Sequence, residues 1–248
     1  MSLDERIKYA AMKARHQRIL LPWYKKWWGI IILIVSGLFL ALVIASGLYV
    51  INKIKEIQSA ETLTASAQAQ QEYLAAIKGD GSNYYLGSDN PRLTIIEFSD
   101  FACPFCQESV TGLKNAAANY KDKIKIVFRD YPLHENSINL ALAARCAGEQ
   151  SKFWEMHDEL FANQTELNVS SDGLTEKLAT LAEKLKLNTE QFNTCLTERR
   201  YLEKIKKDFE DGEKLQIEGT PTWFINNNVL TGYLPAEKFA ELISGLLK

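Results

Sequence analysis

The stretch "LTIIEFSDFACPFCQESV", residues 93–110, begins as an apolar, β-branched run and ends in two cysteines three positions apart, Cys103 and Cys106. Its first part, 93–98, reads as a short buried strand. Pro104 then opens a helix-compatible segment over 104–119, because a first-turn residue needs no backbone N–H. "KIKIVFRD", 123–130, alternates polar and apolar residues as a second strand does. Strand, helix and strand at this spacing imply parallel strands joined by a right-handed crossover. The two sulfurs fall at the junction between the first strand and its helix.

Working outward, "SINLALAARCAGEQSKFWEMHDELFAN", 137–163, is a long amphipathic helical stretch, and three more helical segments occupy 173–215. "TPTWFINNNVLTGY", 220–233, reads as two short strands joined at an Asn-rich turn, and "PAEKFAELISGLLK", 235–248, as a closing helix begun by Pro235. The order β-α-β, helices, β-β-α defines an α/β class. Upstream, "GDGSNYYLGSDNP", 79–91, carries the turn formers of a domain boundary. Residues 52–78 are rich in Ala, Gln, Ser and Glu, as in a helical or flexible stalk. Ile57, Leu63, Leu74 and Ile77 are too sparse there for a coiled coil.

A hydrophobic share of 46% and a charged share of 24% are those of an ordinary globular chain, and a net charge of -2 gives no reason to expect a nucleic-acid partner. That net figure hides an asymmetry. Residues 28–51, "WGIIILIVSGLFLALVIASGLYVI", contain no charged side chain. As a helix they span about 36 Å, enough to cross a hydrocarbon core of about 30 Å with some tilt. Before them the balance is seven basic against two acidic residues; after them it is 22 against 29. Positive charge stays on the cytoplasmic side, which places the N-terminus inside and the remainder outside. Trp23, Tyr24, Trp27 and Trp28 sit where an interfacial aromatic belt belongs. A buried core helix rarely runs this long without charge. A cleavable signal ending near "ASG", 45–47, is a fairer rival, but the basic region is long and the apolar run continues to Ile51. The expected organisation is a basic cytoplasmic segment (1–27), a membrane anchor (28–51), a stalk (52–83) and a domain (84–248), with membrane lipid as the anchor's partner.

All four cysteines lie beyond the apolar segment, where an oxidising compartment permits disulfides. Three readings of Cys103 and Cys106 stand side by side. As a staple, a four-residue ring stabilises by only about 2 kcal/mol, against about 4 for a ring of about fifty residues. Zinc wants four ligands, but Cys146 and Cys195 are isolated, and neither His134 nor His157 is at ligand spacing. The third reading is redox chemistry. At a helix start, unpaired N–H groups and the macrodipole favour an anion, so Cys103 is expected as a half-exposed thiolate of lowered pKa. Cys106, one turn in, is placed to attack a mixed disulfide formed on Cys103.

"IIEFSDFACPFC" (95–106), "FWEMHDELF" (153–161) and "EGTPTWFINN" (218–227), in this order, resemble the DsbA-like thiol-disulfide oxidoreductases of the thioredoxin superfamily. The resemblance covers 84–248. It implies a thioredoxin fold with a helical insertion at about 134–212 and a cis Thr220–Pro221 peptide facing the active-site pair. Thr220 and Pro221 would leave backbone groups free to pair with an extended substrate. It also implies that Glu97, beneath the pair, manages the proton of Cys106; the alternative is an exposed strand-end glutamate. Asp100 is expected as a turn or cap residue. Cys146 and Cys195 are expected as a second disulfide pinning two helices, with free buried thiols as the alternative. Where the strongest oxidants of the family carry histidine, this chain has Phe105, which offers the thiolate no hydrogen bond and reads as a hydrophobic surface that grips substrate. The implied activity is disulfide exchange with exported proteins in a dithiol-oxidant direction, with no cofactor or metal and with a membrane quinone-linked partner as reoxidant. Reductase or isomerase action, or a non-catalytic chaperone-like or metal-carrying module, are the rival functions.

Overall fold

The computed structural model describes residues 2–19, 22–226 and 228–248, so Asn227, the middle of the expected Asn-rich turn, lies outside the described residues, as do Met1, Leu20 and Leu21 of the basic segment. The chain divides into two compact units, 1–68 and Ala69–Lys248. The first contains helix α1 (Leu3–Ile19), a 3-10 turn (Trp23–Lys25) and most of α2 (Trp27–Lys78). Residues 30–75 of α2 are exposed throughout, and the helix is long and apolar enough to cross a membrane. No break separates apolar segment from stalk: the residues expected as a helical or flexible stalk continue the helix to Lys78.

The second unit is a five-stranded sheet in the order β1-β3-β2-β4-β5, built from β1 (Tyr85–Gly87), β2 (Leu93–Ser99), β3 (Ile124–Asp130), β4 (Thr222–Ile225) and β5 (Asn228–Thr231). β2 and β3 are parallel, in register from Leu93↔Ile124 to Ser99↔Asp130, and α3 (Pro104–Asn119) is their crossover. β4 runs antiparallel to β2, and β5 to β4. Side chains alternate across the sheet. Leu93 and Ile95 pack with Ile126, Trp223 and Ile225 under Leu113 of α3 and Phe239 of α10 (Ala236–Leu246). Ile96, Phe98 and Phe224 take the opposite face, against Ala76 at the end of α2 and Leu215 and Ile217.

Between β3 and β4 lies the helical insertion: α4 (Ser137–Gly148), α5 (Phe153–Ala162), α6 (Gln164–Leu167), α7 (Ser171–Lys184), α8 (Thr189–Thr197) and α9 (Leu202–Lys214). Its core, with Leu142, Met156, Leu160 and Phe192, is continuous with Phe101, Cys103 and Cys106 around the start of α3 and with Phe128 of β3. The run 137–163 is two helices rather than one. Ser151 adopts a left-handed backbone, φ 59°, and its N–H and that of Lys152 turn back to the carbonyls of Gly148 and Ala147. The short strand β1, hidden among turn formers, pairs antiparallel with β3 through Tyr85↔Val127 and Gly87↔Lys125. The compact unit also begins earlier than residue 84, because the last turn of α2 is built into it: Ala76 is buried, and Arg129 donates to the carbonyls of Ala76 (3.1 Å) and Ile77 (3.4 Å).

Candidate active site

The site is assembled where β2 ends and α3 begins. Asp100 shapes the connection: its Oδ1 accepts from the N–H of Ala102 at 2.9 Å, and its Oδ2 accepts from the N–H of Leu133 at 2.8 Å and lies 2.7 Å from His134 Nδ1. It is the turn residue the sequence predicts, and it also holds the loop after β3. Cys103 then takes the N-cap position with extended backbone (φ -82°, ψ 122°), and Pro104 begins the helix. Cys103 and Cys106 are both free thiols.

Cys103 is 4% exposed, not half-exposed as the helix-start argument predicts. The cause is what closes over it. The Thr220–Pro221 peptide is cis, and the Thr220 carbonyl accepts from Cys103 Sγ at 3.3 Å. From the insertion, the Gln164 amide donates to the carbonyls of both Phe101 and Cys103 at 2.9 Å. Phe105, in contrast, is 57% exposed beside the pair.

The two thiols have opposite acidities. The Cys103 pKa is lowered to about 5, first by the hydrogen bond from the Cys106 thiol, then against burial by Thr220 and by the N–H groups of Cys106 and Phe105. The helix N-terminus contributes as expected, but the neighbouring sulfur contributes more. In the thiol form Cys103 donates to the Thr220 carbonyl; once ionised it can accept instead from Thr220 Oγ1, which is buried and unpartnered. Cys106 is pushed up by burial, by its hydrogen bond to Cys103 and by the charges of Cys103 and Glu97. Its Sγ accepts from the Asp100 N–H at 3.5 Å. One thiol is thus poised as the anion and the other as its proton-bearing neighbour.

Glu97 is 3% exposed, flanked in register by Phe128 and Trp223, so the strand-end alternative is overturned. Burial pushes its pKa up to about 8, opposed by the Ser99 hydroxyl, and its Oε2 has no partner. Cys146 of α4 and Cys195 of α8 form a disulfide with Cα atoms 5.8 Å apart, which removes both from any metal set. His157 is buried in a cage of Phe101, Phe128, Trp154 and Phe161, where burial lowers its pKa. Among the described residues no group of three or more metal-ligating side chains is brought together.

Sequence reasoning missed Gln164, His134 and Ser99 as site residues. Gln164 follows the "FWEMHDELF" motif by three positions, and only the folded contact reveals its task. With Ala102, Pro104, His134, Asn136 and Asn168 it lines an open cavity of about 380 Å³ beside the cysteine pair.

A thioredoxin family model matches residues 80–244. The chain belongs to the thioredoxin family, with the helical insertion of its DsbA-like members. It is 32% identical over 153 residues to a protein of Bacillus anthracis described as "Probable disulfide bond formation protein D", covering 58% of this chain and 70% of that one. It is also 34% identical over 143 residues, 56% of this chain, to the Na(+)/H(+) antiporter NhaA 3 of Salinispora tropica, but spans only 21% of that protein's length. Among solved structures it is similar to BdbD from Bacillus subtilis, with a TM-score of 0.61 at 23% identity, covering 68% of this chain and 95% of that one. The thiol-disulfide exchange protein alpha-DsbA2 from Wolbachia pipientis gives 0.62 at 20% identity, covering 74% and 96%. At these identities the two structures establish the fold, and the inserted helices match the expected architecture.

Proposed function

We propose that this protein is a membrane-tethered thiol-disulfide oxidoreductase that exchanges disulfides with exported proteins, acting as a dithiol oxidant. The observation that carries the reading is the asymmetry of the pair. Cys103 lies at a helix start with its pKa lowered to about 5, while Cys106, one turn behind, is pushed up. A stabilised thiolate in the reduced form makes the disulfide form the stronger oxidant. In the oxidised enzyme a client thiolate attacks Cys103 Sγ, the Cys103–Cys106 bond breaks, and Cys106 leaves as a thiolate that takes a proton. The client's second thiolate then attacks its own mixed-disulfide sulfur and releases Cys103. Glu97, protonated near neutrality, supplies the proton to Cys106. Thr220 and Pro221 border the extended client chain, and Phe105 offers it an apolar contact. The apolar part of α2 would anchor the enzyme with its N-terminus cytoplasmic and its catalytic domain outside, and a membrane quinone-linked partner would reoxidise it.

Phe105 favours the second reading, a reductase or isomerase, because a phenyl ring adds no charge or hydrogen bond to the thiolate. The reduction potential of the Cys103/Cys106 pair decides the direction: about -120 mV supports the oxidant, about -270 mV the reductase. Dithiol-oxidation and insulin-reduction assays, with Cys103→Ser as control, test the chemistry itself. Failure of both, with stoichiometric zinc or copper on the purified protein, would replace the enzyme by a metal-carrying module.

A further inference from the structure

Glu97 and Ser99 are two residues apart on β2, so their side chains share the sheet face that α3 covers. Cys106 lies in the first turn of α3, and its Sγ is held 3.5 Å from the N–H of Asp100, the residue that follows Ser99. The Ser99 hydroxyl shares this layer with carboxyl and sulfur and acts on both. All three groups are sealed: Glu97 is 3% exposed, Ser99 1% and Cys106 fully buried. Within this layer Ser99 Oγ and Glu97 Oε2 both lack a hydrogen-bond partner. Buried polar oxygens are rarely left without a partner. The hydroxyl is close enough to favour the charged form of both neighbours, opposing burial at Glu97 and at Cys106.

We infer that the Ser99 hydroxyl carries the proton between the Glu97 carboxyl and the Cys106 sulfur. This rests on the exchange reading above and gives it a route. When a client thiolate breaks the Cys103–Cys106 bond, Cys106 departs with the electron pair. Glu97 passes its proton to Ser99 Oγ as the Ser99 hydrogen moves to the sulfur, leaving a carboxylate, a thiol and an unchanged serine. The return flow accompanies closure of the disulfide. The charged groups acting on Cys106 are Cys103 and Glu97. No carboxylate other than Glu97 is therefore available as the donor among the groups that act on this sulfur. Ser99 takes part as a proton carrier and neither attacks nor leaves.

The test is stopped-flow reduction of the oxidised full chain by a cysteine-containing peptide, across neutral and alkaline pH. Ser99→Ala removes an unpaired hydroxyl and leaves no new orphan, so the variant folds. It is expected to slow the reaction about a hundredfold near neutral pH. The pH dependence that Glu97 imposes should vanish with it. Glu97→Gln should give the same loss, the double variant no further loss, and Ser99→Thr should restore the rate. An Ser99→Ala rate and pH profile indistinguishable from the unsubstituted protein would overturn the relay, as would losses that multiply in the double variant. A normal rate of attack at Cys103 in those variants would leave the exchange reading standing. Absence of exchange in the unsubstituted protein would overturn that reading and the relay together.

Discussion

At Cys103 and Cys106 the same thiol chemistry is driven in opposite directions by a few ångströms of placement. Cys103 meets donors: the Cys106 thiol, Thr220 and two backbone N–H groups. Cys106 meets burial and two potential negative charges. A hydrogen bond to a charged group is worth about 1.5–3 kcal/mol, and one pKa unit is about 1.4 kcal/mol. Thr220→Val should therefore raise the Cys103 pKa by about one. The pH dependence of Cys103 alkylation by iodoacetamide reads it, and an unmoved midpoint would remove Thr220 from the account. Glu97 gives a stability prediction of definite sign. Its folded pKa is about 8, above the unfolded value of about 4.3. Between these the native state keeps a proton that the unfolded chain has lost, so stability falls as pH rises through the window and is flat above it. Glu97→Gln abolishes that fall, and thermal melts should show the variant gaining on the parent from mildly acidic to alkaline pH.

At the scale of elements, the insertion is held to itself by a disulfide. The Cys146–Cys195 bond joins α4 to α8 across 49 residues of sequence, inside a core where both sulfurs are fully buried. Closing a ring of that size is worth about 4 kcal/mol by chain entropy. The double substitution Cys146→Ala with Cys195→Ala should lower unfolding free energy by about 3–4 kcal/mol in denaturant titrations. Faster hydrogen exchange should be concentrated in α4 and α8. Much of this layout was legible. The β-branched period of 93–98 predicted β2, Pro104 predicted the start of α3, and the cysteine pair marked the site. These signals are local. What stayed hidden depends on partners remote in sequence. β1 has three residues, and only β3 makes it a strand. Cys103 is covered by Thr220 and Gln164, 117 and 61 residues away. Resemblance, not periodicity, supplied Pro221 and the second disulfide.

For the whole compact unit, the joint between sheet, insertion and α2 is ionic and buried. Arg129 of β3 donates to Asp208 (2.6 Å) and Asp211 (2.7 Å) of α9, while Arg145 of α4 donates to Asp130 of β3 (2.5 Å) and Asp208 (2.7 Å). Lys204 and Lys207 of α9 add two further positive charges, to Asp208 and Asp211. Arg129 does more than pair. Its Nη1 also caps the carbonyls of Ala76 and Ile77, the end of the helix expected to lead to the membrane. One fully buried guanidinium thus ties three parts of the unit together. Breaking a buried ion pair from one side is costly because the other charge stays behind, typically about 3–5 kcal/mol. Arg129→Met keeps much of the volume but strands part of the Asp208 and Asp211 charge and leaves two helix-end carbonyls without their donor. The expected result is a loss of about 3 kcal/mol in unfolding free energy, at the low end because Arg145, Lys204 and Lys207 remain. Amide exchange should quicken together in residues 76–79 and along α9. If α9 loosened while 76–79 stayed protected, the guanidinium would be joining sheet to insertion only, and the last turn of α2 would be held by the packing of Ala76 and Ile77.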